Sequence, residues 1–312
     1  MSAKPIWLVT GGAGFIGSNI AEELVRRGER VRIFDNFCTG KKERIAPFLK
    51  DIELIKGDLR KPADLRRALK GVTYVSHQAA LRSVPRSIDN PFDSNDVNVT
   101  GTLNLLMEAK KAGVKRVVYA SSSSAYGDCK EFPQRETMKT SPLSPYAVSK
   151  LAAENYCVVF AKTFGLETVC LRYFNVFGPK QDPESKYSAV IPLFFECGQA
   201  GKPLEIHWDG KQSRDFTYVG NVVQANLKAM TAKNVSGEVF NIACGTSHSL
   251  LDMVRIIEEI LGKKLTKKFL PKRGGDVRKT YADISKARKL LGYNPAVDFE
   301  EGLVATWQYF KD

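Results

Sequence analysis

Tyr146 and Lys150, in "SPYAVSK", stand four residues apart in a stretch that reads as helix. That spacing puts both side chains on one helical face. A free tyrosine ionises near pH ~10, too high for a base at neutral pH. A neighbouring ammonium lowers it toward the working range, so the pair is a candidate proton-transfer device. Alone, Tyr-x-x-x-Lys is common, and a surface pair is the ordinary explanation. A second feature changes the odds. Residues 10–19, "TGGAGFIGSN", place Gly11, Gly14 and Gly17 between a strand-like run, Ile6 to Val9, and a helix-like one. Glycines at that period, between a first strand and a first helix, fit a dinucleotide-binding turn. The first permits the tight turn, the second lets backbone approach a pyrophosphate, and the third lets helix and strand pack closely. The helix N-terminus then offers free N–H groups to phosphate.

A carboxylate belongs at the end of the second strand, and Asp35 is there. It can accept both ribose hydroxyls of NAD and would repel a 2′-phosphate, so NAD is the expected cofactor. Asp58, in "KGDLR", is either a partner of the adenine amino group or a turn and capping residue.

These residues need elements to hold them. Short β-branched runs alternate with amphipathic helices through the first half of the chain. Strands are read at 6–9, 31–34, 52–56, 72–76, 117–120 and 168–172. Helices are read at 18–27, 62–69, 92–112 and 145–164. The alternation predicts an α/β fold, a doubly wound parallel sheet with helices on both faces. After Gly178-Pro179 the pattern loosens, with helices near 190–200, 219–230, 250–261 and 284–291. A strand at 238–242 returns to the main sheet. The division expected is 1–176 for a Rossmann NAD-binding domain and 177–312 for a smaller α/β domain that binds substrate.

Composition narrows the classes. A hydrophobic share of 43% over 312 residues supports a large core, and no apolar run reaches membrane-spanning length. The N-terminus has no apolar signal core, so a cytoplasmic protein with no membrane partner is expected. Six scattered cysteines and three distant histidines have no metal-ligand spacing, so no metal is expected. The net charge of +13 is spread along the chain. Solvated lysines rank first as its explanation, an anionic metabolite second and nucleic acid a distant third.

Taken together, "TGGAGFIG", "GDLR", "HQAA", "SSSSAYG", "SPYAVSK", "LRYFNVFGP" and "SRDFTYV" make the chain resemble the extended short-chain dehydrogenase/reductase family from end to end. Members act on nucleotide sugars with tightly held NAD. The resemblance implies that Ser122, four before Tyr126, joins Tyr146 and Lys150 as the catalytic set. It places Phe15, Ile16, Asn36, Thr39, Gly40, Leu59, Gln78, Ala79, Ala80, Asn98 and Tyr173 with the glycines, Asp35 and Asp58 around the cofactor. Within the family, "SVPRSI", "LSPYAVSK", "LRYFNVFGPKQDP", "AVIP", "SRDF" and "RGGDVRKTYADISKA" are most similar to UDP-hexose 4-epimerases, especially those acting on N-acetylated sugars. By that likeness Asn175, Ala189, Val190, Arg214, Arg273 and Asp276 surround the UDP moiety. Arginine forks suit a diphosphate, although either arginine alone could be a surface ion pair. Ser83, Ser123 and Ser124 help to orient the sugar, and Arg82 borders it where some N-acetylhexosamine epimerases have glycine. Thr280 stands where a narrow UDP-glucose epimerase has a bulky tyrosine.

The implied reaction removes the O4 proton with Tyr146, passes the C4 hydrogen to NAD as hydride, and returns it to the other face of a rotated 4-keto sugar. The expected substrates are UDP-GlcNAc and UDP-GalNAc, with UDP-Glc and UDP-Gal also open. A UDP-glucose-only epimerase, a UDP-glucuronate epimerase or decarboxylase, and a non-catalytic NAD-binding regulator are the alternatives. Ser123-Ser124 lacks the acid and base of the 4,6-dehydratases, and Ser124 stands where decarboxylases carry Glu. The likeness also implies a homodimer through the helices near 92–112 and 145–164, with Leu103, Leu106, Val148 and Tyr156 as candidate contacts.

Overall fold

The computed structural model describes residues 4–182, 190–272 and 277–311. Seven parallel strands form the central sheet: β1 (Ile6–Thr10), β2 (Arg30–Asp35), β3 (Ile52–Lys56), β4 (Tyr74–His77), β5 (Arg116–Ser122), β6 (Glu167–Tyr173) and β7 (Glu238–Ile242). Their order across the sheet is β3-β2-β1-β4-β5-β6-β7. The order reverses direction at β1 and β4, paired in register Thr10 to His77. Open parallel sheets bind ligands at such a switch point, beyond the carboxyl ends of the strands. The sheet is Rossmann-like, as its strand and helix alternation predicts, and β7 returns to it beside β6.

Both faces are covered, which is why the strands read as nearly continuous apolar runs. On one face α1 (Phe15–Arg26) packs through Ile20, Ala21 and Leu24. The other carries α2 (Pro62–Leu69). After β4 come two short helices, α3 (Val84–Asp89) and α4 (Pro91–Asn95). α4 continues through a π turn, Asp96–Thr100, into α5 (Gly101–Lys111). α6 (Pro145–Thr163) lies beside α5 on the face of α2, burying Ala153, Cys157 and Phe160. The long helix expected at 92–112 is thus one helical run with a π irregularity.

The second half adds α7 (Val190–Gln199), α8 (Val219–Thr231), α9 (Leu250–Leu261), α10 (Ser285–Leu291) and α11 (Phe299–Lys311). α8 and α10 pack on the sheet face that carries α1. α7, α9 and α11 enclose a separate core around Phe177, Phe194, Phe195, Ile257 and Leu303. Burying one such side chain contributes roughly 1.5–3 kcal/mol, so this lobe has an apolar centre of its own. Two-stranded pairings at 176–177 with 217–218, 213–214 with 248–249, and 204–207 with 267–270 complete it. α11 is a helix the pattern reading did not find. No described helix is long and apolar enough to cross a membrane, and no three His, Cys, Asp or Glu side chains stand together as a metal site among the described residues.

Candidate active site

The glycine turn is built by backbone contact. Gly11 has φ +65°, and a Cβ there would lie 2.8 Å from the Ala79 backbone. A Cβ on Gly17 would run into the Gly11 carbonyl oxygen. The turn closes through Gly14 N–H to Gly11 O at 2.9 Å. α1 then begins with Gly14 as its N-cap, with no side-chain cap and no acidic residue in its first turn. Its leading N–H groups carry the positive end of the helix dipole toward the cleft. This fits a pyrophosphate.

At the end of β2, Asp35 is 7% exposed. It accepts N–H bonds from Ala13 at 2.9 Å and Phe37 at 2.8 Å, and burial pushes its carboxyl above the usual range. Those two bonds leave acceptor capacity on both oxygens. Asp58 accepts from Asn36 at 3.0 Å and is gripped by Arg60 at 2.9 and 2.8 Å. The Arg60 hydrogen bond holds it far below the usual carboxylate range. Farther along, Gln78 bonds Ser76 and Asn226, and Tyr173 donates to Gln78 at 3.3 Å and accepts from Asn226 at 2.7 Å.

One cleft joins these groups to the candidate proton-transfer pair. Gly11, Gly14, Phe15, Ile16, Gly17, Asp35, Asn36, Thr39, Gly40, Asp58, Leu59, Gln78, Ala79 and Ala80 line it, with Arg82, Tyr146, Lys150 and Tyr173 at its other end. The residues present therefore fit a dinucleotide. Phe34, Cys38, Gly57, Leu81, Val97, Ala120 and Ser121 also line the cleft and were not singled out from the sequence. Most of them sit at strand ends, so boundary precision was the missing information. Asn98 is placed differently: it is 1% exposed and lies behind the wall. Its amide holds the Leu81 backbone at both ends, at 2.7 and 3.0 Å, and reaches Ser149 at 3.0 Å.

α6 starts where it does because Ser144 caps it, accepting from Ala147 N–H at 3.2 Å, with Pro145 in the first turn. Tyr146 thereby enters the first turn, its own N–H bonded to Ser87 Oγ at 3.0 Å. Burial of the phenol raises its pKa, while a hydrogen bond with Ser122 and the charge of Arg82 lower it. Lys150 is 4% exposed, with its ammonium 4.5 Å from the centre of the Tyr119 ring. Burial brings it down to about 8. Ser122 ends β5 and accepts from Ser124 Oγ at 2.8 Å and Ser124 N–H at 3.2 Å. Ser123 follows it into a 3₁₀ turn, Ser123–Tyr126. Arg82 is exposed at the cleft edge, and the next residue, Ser83, has φ +141°, a strained value for a side chain with a Cβ. Ser83 caps α3 rather than lining the cleft.

On the other lobe, Asn175 donates to Thr280 Oγ1 at 3.1 Å and to the Asp215 carbonyl at 3.2 Å. Arg214 lies on the strand beside His248. Val190 begins α7. Ala189, Arg273 and Asp276 lie outside the described residues. Asp215, which pattern reading passed over, organises this lobe. It is wholly buried, and its carboxylate accepts N–H bonds from Cys244, Gly245 and Ala282 at 2.9, 3.1 and 3.2 Å. Burial lifts it to about 7 against those donors.

Residues 7–243 match the model of the NAD dependent epimerase/dehydratase family. A putative UDP-glucose 4-epimerase of Methanocaldococcus jannaschii is 39% identical over 307 residues, 98% of either chain. The fold is similar to that of a UDP-N-acetylglucosamine 4-epimerase from Methanobrevibacter ruminantium, solved with UDP-N-acetylmuramic acid. The TM-score is 0.94 at 39% identity, over 100% of this chain and 99% of that one. A Thermus thermophilus UDP-glucose 4-epimerase solved with NAD superposes with a TM-score of 0.90 at 36% identity, over 98% and 99% of the chains.

Proposed function

The chain belongs to the NAD dependent epimerase/dehydratase family, and from that premise we propose that it interconverts C4 epimers of UDP-hexoses, with UDP-GlcNAc and UDP-GalNAc as its preferred pair. The observation that carries the reaction is the single cleft running from the glycine turn to Tyr146 and Lys150. NAD, when bound, supplies a reversible hydride acceptor for C4 of the sugar. The glycine turn, the N-terminus of α1 and Asp35 hold it; Asp35 favours free ribose hydroxyls. Tyr146 removes the O4 proton and returns it after the sugar has turned. Ser122 bonds the same oxygen and keeps the phenol directed at it. Lys150 supplies the adjacent positive charge that makes the phenolate accessible near neutral pH. Asn175, Val190, Arg214 and the residues at 189, 273 and 276 hold the UDP end. Ser123 and Ser124 steer the sugar.

The relatives above differ in the sugar that they name, so the choice of sugar rests on the residues themselves. Thr280 is small, half-buried and bonded to Asn175, which leaves room for a 2-acetamido group. Arg82 takes back some of that room. The test is Thr280→Tyr. It should cut kcat/KM for UDP-GlcNAc at least tenfold relative to UDP-Glc, by excluding the larger sugar. An unchanged ratio would remove Thr280 as the gate and with it the preference for acetylated sugars.

Assembly as a homodimer is part of the same proposal. Val148, Tyr156 and Val159 follow one exposed line along α6, and Met107 is exposed on α5. Leu106 is a correction: it is fully buried in the chain's own core, because its helical face turns toward the sheet, and Leu103 packs against that core as well.

A further inference from the structure

Glu154 stands one helical turn beyond Lys150, so Tyr146, Lys150 and Glu154 share one face of α6. Glu154 is 2% exposed. Its Oε2 accepts from Ser121 Oγ at 2.6 Å and Arg172 Nε at 2.9 Å, and its Oε1 from Arg172 Nη2 at 2.7 Å. Ser121 precedes Ser122 on β5, and Arg172 precedes Tyr173 on β6. The third Arg172 nitrogen, Nη1, is buried without a hydrogen-bond partner among the described residues, and the guanidinium lies 4.7 Å from the centre of the Tyr126 ring. A buried ion pair of this kind is a poor source of stability, since neutral side chains of similar shape commonly serve as well. Its location has more to explain than its strength.

We propose that Glu154, held in place by Arg172, is a positioning residue that keeps the buried Lys150 ammonium charged while tying the helix of Tyr146 and Lys150 to the strand of Ser122. The inference rests on the reading of Tyr146 and Lys150 as the proton-transfer pair. Among the described residues no carboxylate lies within ion-pair distance of Lys150; its near neighbour is the face of Tyr119. Burial works against its charge, and Cys157, Cys170 and the carboxylate of Glu154 work for it. The other groups within its reach are Cys157 on α6, His77 on β4, Tyr119 on β5 and Cys170 on β6, with Tyr146 on the same face of α6 and Arg172 of β6 paired to Glu154. His77 is held neutral at pH 7, and burial holds the Tyr119 phenol and the Cys170 thiol protonated. The carboxylate of Glu154 is therefore the formal charge set against burial at Lys150, and Arg172 carries the opposite charge in its ion pair with that carboxylate.

These two charges act on Lys150 in opposite directions, which gives a test that a purely structural role would not satisfy. The titration midpoint of Lys150 is read by NMR of lysine Nζ and Cε in the full chain, its resonance identified by its loss in Lys150→Met. In Glu154→Gln the midpoint should fall by about one pH unit or more, since a favourable charge is gone and an unpaired cation remains. In Arg172→Gln it should rise. The double variant Glu154→Gln with Arg172→Gln keeps a neutral, hydrogen-bonding pair, and its midpoint should lie between those two and below that of the natural chain. The alkaline limb of kcat should follow the same order. A midpoint that stays put, or moves the same way in both single variants, overturns the proposal. Should either single variant fail to fold, the double variant decides: a midpoint equal to the natural one overturns it. Failure of the underlying reading looks different. Tyr146→Phe would then keep full activity while the NMR order still held.

Discussion

Tyr146 depends on three things at once: a desolvated phenol, a serine at hydrogen-bonding distance and the charge of Arg82. Replacing it by Phe removes the ionisable oxygen and leaves the ring that fills the space. Tyr146→Phe should lower kcat by roughly 10²–10⁴-fold and leave the affinity for NAD and UDP-sugar close to natural, read by steady-state kinetics and calorimetry. Ser122→Ala should cost less, because it removes a hydrogen bond rather than the base. Near-natural turnover in Tyr146→Phe would take tyrosine out of the mechanism. The tyrosine, the lysine and the glycines were legible in the sequence because their chemistry depends on local spacing along one helix or one turn. Glu154 and Asp215 were not. Their roles depend on partners far away in the chain, Arg172 for one, and Cys244 and Ala282 for the other. Asn98 shows the converse: its amide is committed to Leu81 and Ser149 behind the cleft, which no local spacing reveals.

The switch point between β1 and β4 is where elements set the site. His77, at the end of β4, bonds Thr10 of β1 at 2.7 Å and Thr102 of α5 at 2.9 Å through its two ring nitrogens. Burial lowers its pKa from 6.5 to about 3, so the folded chain holds it neutral. Below pH 6.5 the unfolded chain takes up a proton that the folded one refuses. Its contribution is therefore present above pH 6.5 and is lost as pH falls toward 3. Urea unfolding should show the stability gap between the natural chain and His77→Gln shrinking by about 2–3 kcal/mol between pH 7.5 and 4.5. A gap that is constant with pH would contradict this. The glycine turn makes a separate prediction. Gly17→Ala drives a methyl into the Gly11 carbonyl, and neither partner is a flexible side chain. It should raise the Kd for NAD at least tenfold and cost about 1–3 kcal/mol of stability; an unchanged Kd would show that the turn does not seat the cofactor. Element types in the first half were legible because strand and helix periods alternate cleanly. Boundaries shifted by a few residues, and α11 was missed because its apolar positions follow a loop-like stretch that contains Pro295.

At the largest scale, the sheet with its helices and the smaller lobe around Phe177 and Ile257 each bury an apolar core of their own. The exposed line of α6 predicts that the natural chain sediments as a dimer at micromolar concentration and that Val148→Asp combined with Tyr156→Asp sediments as a monomer. A natural chain that is monomeric under those conditions would contradict the assembly. Purified protein should be incubated with NAD and UDP-GlcNAc, and the sugar nucleotides followed by NMR. The expected result is conversion to an equilibrium mixture of UDP-GlcNAc and UDP-GalNAc, reached from either side, with no net formation of NADH. Absence of C4 interconversion for every UDP-hexose offered, or consumption of NAD in proportion to sugar, would contradict it.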